Sequence, residues 1–144
     1  MYEHYLIVYC LGAFILDDKK RILLVKKSSR ELIDAGMWVV PGGKVKQNEH
    51  VISALKREVK EEVGLSVISS RWIGEDAFKV GDKYFHAAHF LCKVKSTKKV
   101  RLEKNLLEYK WITKKDLSIR QLADQIPKNL KKEIMNVFEN YRLK

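Results

Sequence analysis

Cysteine and proline are nearly absent, with two of each in 144 residues. Cys10 and Cys92 lie far apart, each in an apolar stretch and without a Cys-x-x-Cys partner. That leaves no basis for a disulfide framework or a thiolate metal site, and both read as small buried hydrophobes. No Pro/Gly/Ser-rich linker, low-complexity block or internal repeat divides the chain, so one domain over residues 1–144 is expected. Long apolar runs are missing too. The longest, Tyr5 to Leu16, has twelve residues and includes Gly12, short of the roughly 20 needed to span a bilayer. Glu3 and His4 stand where a signal peptide would place basic residues, so no leader and no membrane partner are expected, and the compartment is expected to be cytoplasmic. Acidic residues are outnumbered, 18 against 29 basic, for a formal charge of +11. Such a balance favours nucleotides, nucleic acid or acidic membranes as partners and by itself discriminates none of them.

What is present is an irregular alternation of strands and helices. Residues 5–16, rich in β-branched and aromatic side chains, read as a mostly buried strand. Asp17-Asp18-Lys19-Lys20 is a turn and Arg21 to Val25 a second strand. A polar loop over about 27–36 leads to a short strand, Met37 to Val40, stopped by Pro41-Gly42-Gly43. Helical periodicity runs over 49–63, with Asn48 as N-cap, Glu49 in the first turn and Gly64 as the C-terminal stop. Strands over about 65–79 and 83–94 form a hairpin turning at Gly81-Asp82. A short strand near Tyr109 to Ile112 follows. The chain closes in an amphipathic helix from Pro127 to Tyr141, with an apolar stripe of Leu130, Ile134, Val137, Phe138 and Tyr141. The pattern predicts helices packed on a mixed sheet.

The helix over 49–63 carries the chemistry. At 100° per residue, Ile52, Leu55, Val59 and Val63 share the arc that must face the core. Glu49, Ser53, Lys56 and Lys60 face water. Glu58, Glu61 and Glu62 form a third arc beside the apolar one, three and four residues apart. Like charges at that spacing repel by a few tenths of a kcal/mol, and more where desolvated. Either the neighbouring lysines and Arg57 balance them, or a cation sits between them. Carboxylates without histidine or thiolate select a hard ion, Mg²⁺ with Mn²⁺ as substitute, in preference to Zn²⁺.

From Gly43 the chain reads Gly43, five residues, Glu49, seven residues, then Arg57-Glu58-Val59-Lys60-Glu61-Glu62-Val63-Gly64-Leu65. This resembles the Nudix hydrolase signature, and MutT-type members in particular, at every specified position. Seven named residues at about 7% each coincide by chance in on the order of one window in 10⁸. Residues 37–43 are also similar to the family's approach to that signature. The resemblance implies an α/β/α sandwich with a central mixed sheet, an α/β (α+β) fold. It implies metal ligation by Glu58, Glu61, Glu62 and the Gly43 carbonyl, with Arg57 holding the glutamates by charged hydrogen bonds. Glu49 is either a helix-end stabiliser or a participant.

The activity implied is Mg²⁺-dependent hydrolysis of a nucleoside diphosphate linked to a group X, by water and without a covalent nucleophile. The general base comes from the helix or from a late loop, where Glu108 is preferred and Glu103 is next. Trp38, Gly42 and Gly43, in the approach segment, are the substrate-contact candidates. Trp38, Trp72 and Trp111 are each either a core aromatic or a base-stacking platform. His86 and His89 are three apart on a strand, point to opposite faces and read as ordinary strand histidines. Lys93, Lys95, Lys98, Lys99, Arg101 and Lys104 either guide a polyphosphate or form a solvated surface.

Within the family a nucleoside triphosphate leads as substrate. Val80 and Gly81 stand where ADP-ribose enzymes tend to carry a proline, and Pro41-Gly42-Gly43 lacks the glutamine usual in enzymes of RNA 5′ ends. Nucleotide sugars and dinucleoside polyphosphates stay open, and the charge keeps RNA as a partner. A non-catalytic nucleotide- or RNA-binding module is the alternative of a different class, but such members usually show a damaged signature.

Overall fold

The computed structural model describes residues 6–141, so Tyr5, in the first expected strand, lies outside the described residues. Strand β1 (Leu6–Ile15) is followed by β2 (Ile22–Lys27), β3 (Trp38–Val39) and β4 (Gly42–Lys44). Helix α1 (Val51–Val63) leads into the long hairpin β5 (Val67–Val80) and β6 (Lys83–Val94). Strand β7 (Leu106–Ile112), a 3-10 turn at Lys114–Ser118, α2 (Arg120–Ala123) and α3 (Lys128–Asn140) complete the chain. The strands form a four-stranded sheet in the order β4-β1-β6-β5 and a three-stranded sheet in the order β3-β2-β7. Strands β1 and β6 are parallel and the other pairs antiparallel, which makes the larger sheet mixed.

In its second half, from Leu11 to Ile15, the apolar run of β1 has a physical reason: both faces are buried there, whereas Leu6, Ile7 and Tyr9 are exposed. Leu11, Ala13 and Ile15 enter one core cluster with Leu55, Val59 and Val63 of α1. Phe14 and Leu16 enter a second cluster with Ile134 and Val137 of α3. Strand β2 divides in the same way, Leu23 and Val25 to the first and Ile22 and Leu24 to the second. Helices therefore cover the mixed sheet from both sides, the expected α/β/α arrangement.

Several boundaries differ from those read in the sequence. The signature helix begins at Val51 and His50 occupies its N-cap. Asn48 instead takes a left-handed turn conformation, with φ of 63°, so Glu49 precedes the helix. Ile52 is 38% exposed, and Ala54, fully buried, takes its place in the core. Pro41-Gly42-Gly43 does not end the sheet: Gly42–Lys44 pair with β1 as an edge strand, and Pro41 O accepts the Ala13 N–H at 2.7 Å. A Cβ on Gly42 would collide with the Leu11 carbonyl. The glycine is therefore there for close strand approach, which a reading of glycine as a breaker misses. Pro127 is the N-cap of α3 and lies outside its first turn. The hairpin turn at Gly81 and the helix stop at Gly64 stand as expected, with φ of 62° and 73°.

Candidate active site

The end of β4 and the second half of α1 meet through their polar groups. Glu62 is 9% exposed, and its Oε1 accepts the Gly42 N–H at 2.8 Å. Burial pushes its carboxyl up to about 8; the Gly42 hydrogen bond opposes this, while Glu58 and Glu103 add to it. Glu58 is also raised, chiefly by burial, against its bond to Arg57 and with repulsion from Glu61 and Glu103. A Cβ on Gly43 would strike the Glu58 carboxyl, so the glycine leaves space for that group beside the strand. Glu61 is half exposed and touches Arg57 at 3.2 Å.

Arg57 organises the group. Its Nε and Nη2 donate to Glu49 at 2.7 and 2.9 Å, and its Nη1 to Glu58 at 2.8 Å and to Glu61. The Nη2 also reaches the Lys44 carbonyl at 3.1 Å. Glu49 therefore faces Arg57 and not water, as its arc had implied. The guanidinium, with the Lys46 N–H, holds the Glu49 carboxyl down to about 2. The same contacts, Glu49 first, push Arg57 above its ordinary value. Arg57 is thus a permanent cation clamping Glu49 and Glu58.

Among the described residues, no three His, Cys, Asp or Glu side chains are gathered tightly enough to hold a metal ion as they stand. Glu61 leans toward Arg57 and Glu62 toward Gly42. The donor set nevertheless fits a hard divalent cation. Its ligating atoms are all oxygens, and Glu62, buried with one N–H donor, is destabilised as an anion by Glu58 and Glu103. A cation relieves that conflict.

A family model described as the NUDIX domain matches residues 8–134. The chain belongs to the Nudix family. It is 30% identical to Nudix hydrolase 6 of Arabidopsis thaliana over 141 residues, 93% of this chain and 47% of that protein. An 8-oxo-dGTP diphosphatase of Buchnera aphidicola subsp. Schizaphis graminum is 41% identical over 54 residues, 38% of this chain and 42% of its own. The chain thus spans less than half the length of these curated relatives. A MutT protein of Methanosarcina mazei Go1 superposes with a TM-score of 0.79 at 26% identity, covering 96% of each chain.

Other residues singled out in this Nudix chain are placed differently. Glu108 is not drawn into the glutamate group: it stands on β7 with its side chain 63% exposed, 4.0 Å from Lys26. The loop carboxylate whose charge acts on Glu58 and Glu62 is Glu103, tied to α1 by its N–H to the Glu62 carbonyl at 2.8 Å. Trp38 is 5% exposed in the second core cluster, with the Lys110 ammonium 5.0 Å from its ring centre. It has no face to offer a base, and the stacking role is withdrawn. Trp111 packs against the first cluster, and Trp72 is exposed on β5.

His86 is exposed, whereas His89 is buried on the opposite face with its Nδ1 3.5 Å from Glu133. Cys92 is fully buried, and burial pushes its thiol up to about 12. Cys10 is only half-buried, against expectation, in the half of β1 where Leu6, Ile7 and Tyr9 are exposed. Lys27, at the end of β2, was not foreseen; its charge acts on both Glu62 and Cys10. A basic residue ending a buried strand was the available signal. Among the described residues no helix is long and apolar enough to cross a membrane.

Proposed function

We propose that this chain hydrolyses a phosphoanhydride bond of a nucleoside diphosphate linked to a group X, with a nucleoside triphosphate as the leading substrate. The observation that carries the reading is the Glu58–Glu62 pair, desolvated beside Gly42 and Gly43, in which Arg57 contacts Glu58 while Glu62 has only the Gly42 N–H. Glu58, Glu61 and Glu62 would hold Mg²⁺, or Mn²⁺ in its place, with the Gly43 carbonyl as a further ligand. Bound there, the ion supplies neutralisation of phosphate charge and a lowered pKa for the attacking water. Arg57 keeps Glu58 and Glu61 in register, and Glu49 keeps Arg57 in place. The Gly42 N–H fixes the rotamer of Glu62. Lys27 offers a cation for a phosphate oxygen.

In the reaction a water oxygen bonds to phosphorus as the P–O bond of the anhydride breaks. The water proton passes to a carboxylate, for which Glu103 replaces Glu108 as the loop candidate. Support for a triphosphate comes from the relatives, one of which is named an 8-oxo-dGTP diphosphatase and another a MutT protein.

The test is release of phosphate or pyrophosphate from a nucleotide panel, with Mg²⁺ and again with EDTA. The panel holds canonical and oxidised triphosphates, ADP-ribose, a nucleotide sugar and a dinucleoside polyphosphate. Metal-dependent turnover of triphosphates is expected. Folded protein that binds nucleotides but turns none over would make the chain a binding module.

A further inference from the structure

The loop between β6 and β7 closes over the C-terminal turn of α1 and is stitched to it. The Lys95 N–H donates to Ser66 O at 2.8 Å, the Arg101 N–H to Val63 O at 2.9 Å and the Glu103 N–H to Glu62 O at 2.8 Å. Val100 and Leu102 turn inward against the first core cluster. That anchoring decides what is left outside. Lys95, Lys98, Lys99, Arg101 and Lys104 are all exposed, and Lys60 joins them from α1, its Nζ 3.4 Å from Ser66 Oγ. Among the described residues none of these six cations has a carboxylate within ion-pair distance.

Six like charges need a reason. The negative end of the α1 dipole accounts for cations within its last turn, a position held by Lys60 but not by the outer loop. Mutual repulsion of the rest is relieved only by solvent ions or by an anionic partner. The loop's apolar residues, Val100 and Leu102, are spent on the core, so it presents no side chain for insertion into a bilayer. Its exposed groups are the cations, the Ser96 hydroxyl and, at its end, the Glu103 carboxylate; the cations and the hydroxyl are the donors that follow a phosphodiester backbone. The loop also ends at Glu103, whose N–H holds the Glu62 carbonyl, so the basic surface runs up to the glutamates.

We propose that this surface binds a single-stranded oligonucleotide, its backbone lying along residues 95–104 and over the C-terminal turn of α1. The proposal goes beyond the hydrolase reading and does not depend on it.

The test is fluorescence anisotropy with a labelled, mixed-sequence oligoribonucleotide bearing a 5′-monophosphate, in EDTA so that turnover plays no part. Binding of the wild-type chain should fall with salt, with a log–log slope of roughly −0.7 per phosphate contact. The combined variant Lys98→Gln, Lys99→Gln, Arg101→Gln should reduce that slope by roughly two units and weaken low-salt binding at least tenfold. Its melting temperature should not change, because the loop is held by backbone bonds and by Val100 and Leu102. The control, Lys114→Gln with Lys115→Gln next to α3, should bind as the wild type does.

Three results would overturn the proposal: no binding at low salt, equal loss in the control, or retention on phosphatidylserine vesicles without oligonucleotide binding. Since no hydrolysis is measured, the nucleotide panel and this experiment fail independently.

Discussion

Glu62 is 9% exposed and receives a single N–H, from Gly42, so its anionic form lacks the solvation that water would give. Its folded pKa, raised to about 8, lies above the ordinary value of 4.5, and the direction of the pH effect follows. The folded protein holds this proton more tightly than the unfolded chain between those values. The stabilisation is therefore complete below about pH 4.5 and is lost as pH rises through about 8. In EDTA, Glu62→Gln should flatten that slope and raise stability at pH 9 by roughly 2–4 kcal/mol, while turnover is lost. Denaturant melts at pH 6 and pH 9 measure it; an equal effect at both pH values would show that Glu62 does not titrate there.

Arg57 gives a second prediction at this scale. Its fork bridges Glu49, Glu58 and Glu61 at once, a geometry that a lysine ammonium cannot reproduce. Arg57→Lys should keep the fold and the charge yet lower kcat/KM by roughly 10–100-fold, the usual cost of loosening groups behind a metal site. Steady-state kinetics with saturating Mg²⁺ would decide it, since unchanged rates would leave Arg57 a surface ion pair.

Strand β4 and helix α1 are two elements that meet in one site, and adjacent glycines make the meeting possible for different reasons. Gly42 lies against the Leu11 carbonyl of β1, whereas Gly43 lies against the Glu58 side chain. Backbone cannot yield as a carboxylate can. Gly42→Ala should therefore push β4 from β1 and cost roughly 1–3 kcal/mol. Gly43→Ala should cost less stability but displace Glu58 and reduce turnover by a larger factor. Parallel thermal melts and assays of the two variants test the separation, and indistinguishable melts would sink it.

The same pair shows how far the sequence could be read. The spacing from Gly43 to Leu65 identified the family, and the periodicity of α1 placed its three glutamates on one arc beside the core. Residue periodicity does not report strand pairing, however, so β4 was hidden behind Pro41-Gly42-Gly43. The 3-10 turn and α2 were hidden too, being too short for a periodic signal. The choice between core and stacking at Trp38, and the exposure of Glu108, could not be read because a side chain's exposure is set by the neighbouring strands and not by its own segment. Lys27 emerged only once α1 and the end of β2 were seen together, and the order of Glu103 and Glu108 as loop candidates only once the loop after β6 was seen against α1.

At the scale of the whole molecule the two core clusters divide the work. The first holds α1 against the sheet and so carries the glutamates, while the second seats α3 and contains none of the signature residues. Leu55 and Ile134 are both fully buried aliphatic side chains, one in each cluster. Truncating either to alanine removes the same number of carbon atoms and should cost a similar 2–5 kcal/mol, roughly, with the spread set by how well each site collapses. Their effects on chemistry should differ. Leu55 lies three residues before Glu58 on the same helix, so relaxation around its cavity moves the carboxylates relative to Gly42 and Gly43. Ile134 lies across the sheet, and α3 settling into its cavity leaves β4 and α1 where they were.

At a temperature where both variants remain folded, Leu55→Ala should lower kcat/KM several-fold, and Ile134→Ala should match the wild type. The comparison requires melting curves first, to fix that temperature, and then nucleotide turnover at saturating Mg²⁺. Equal losses in the two variants would mean that the sheet transmits strain from either face to the glutamates, and that the clusters do not separate stability from function.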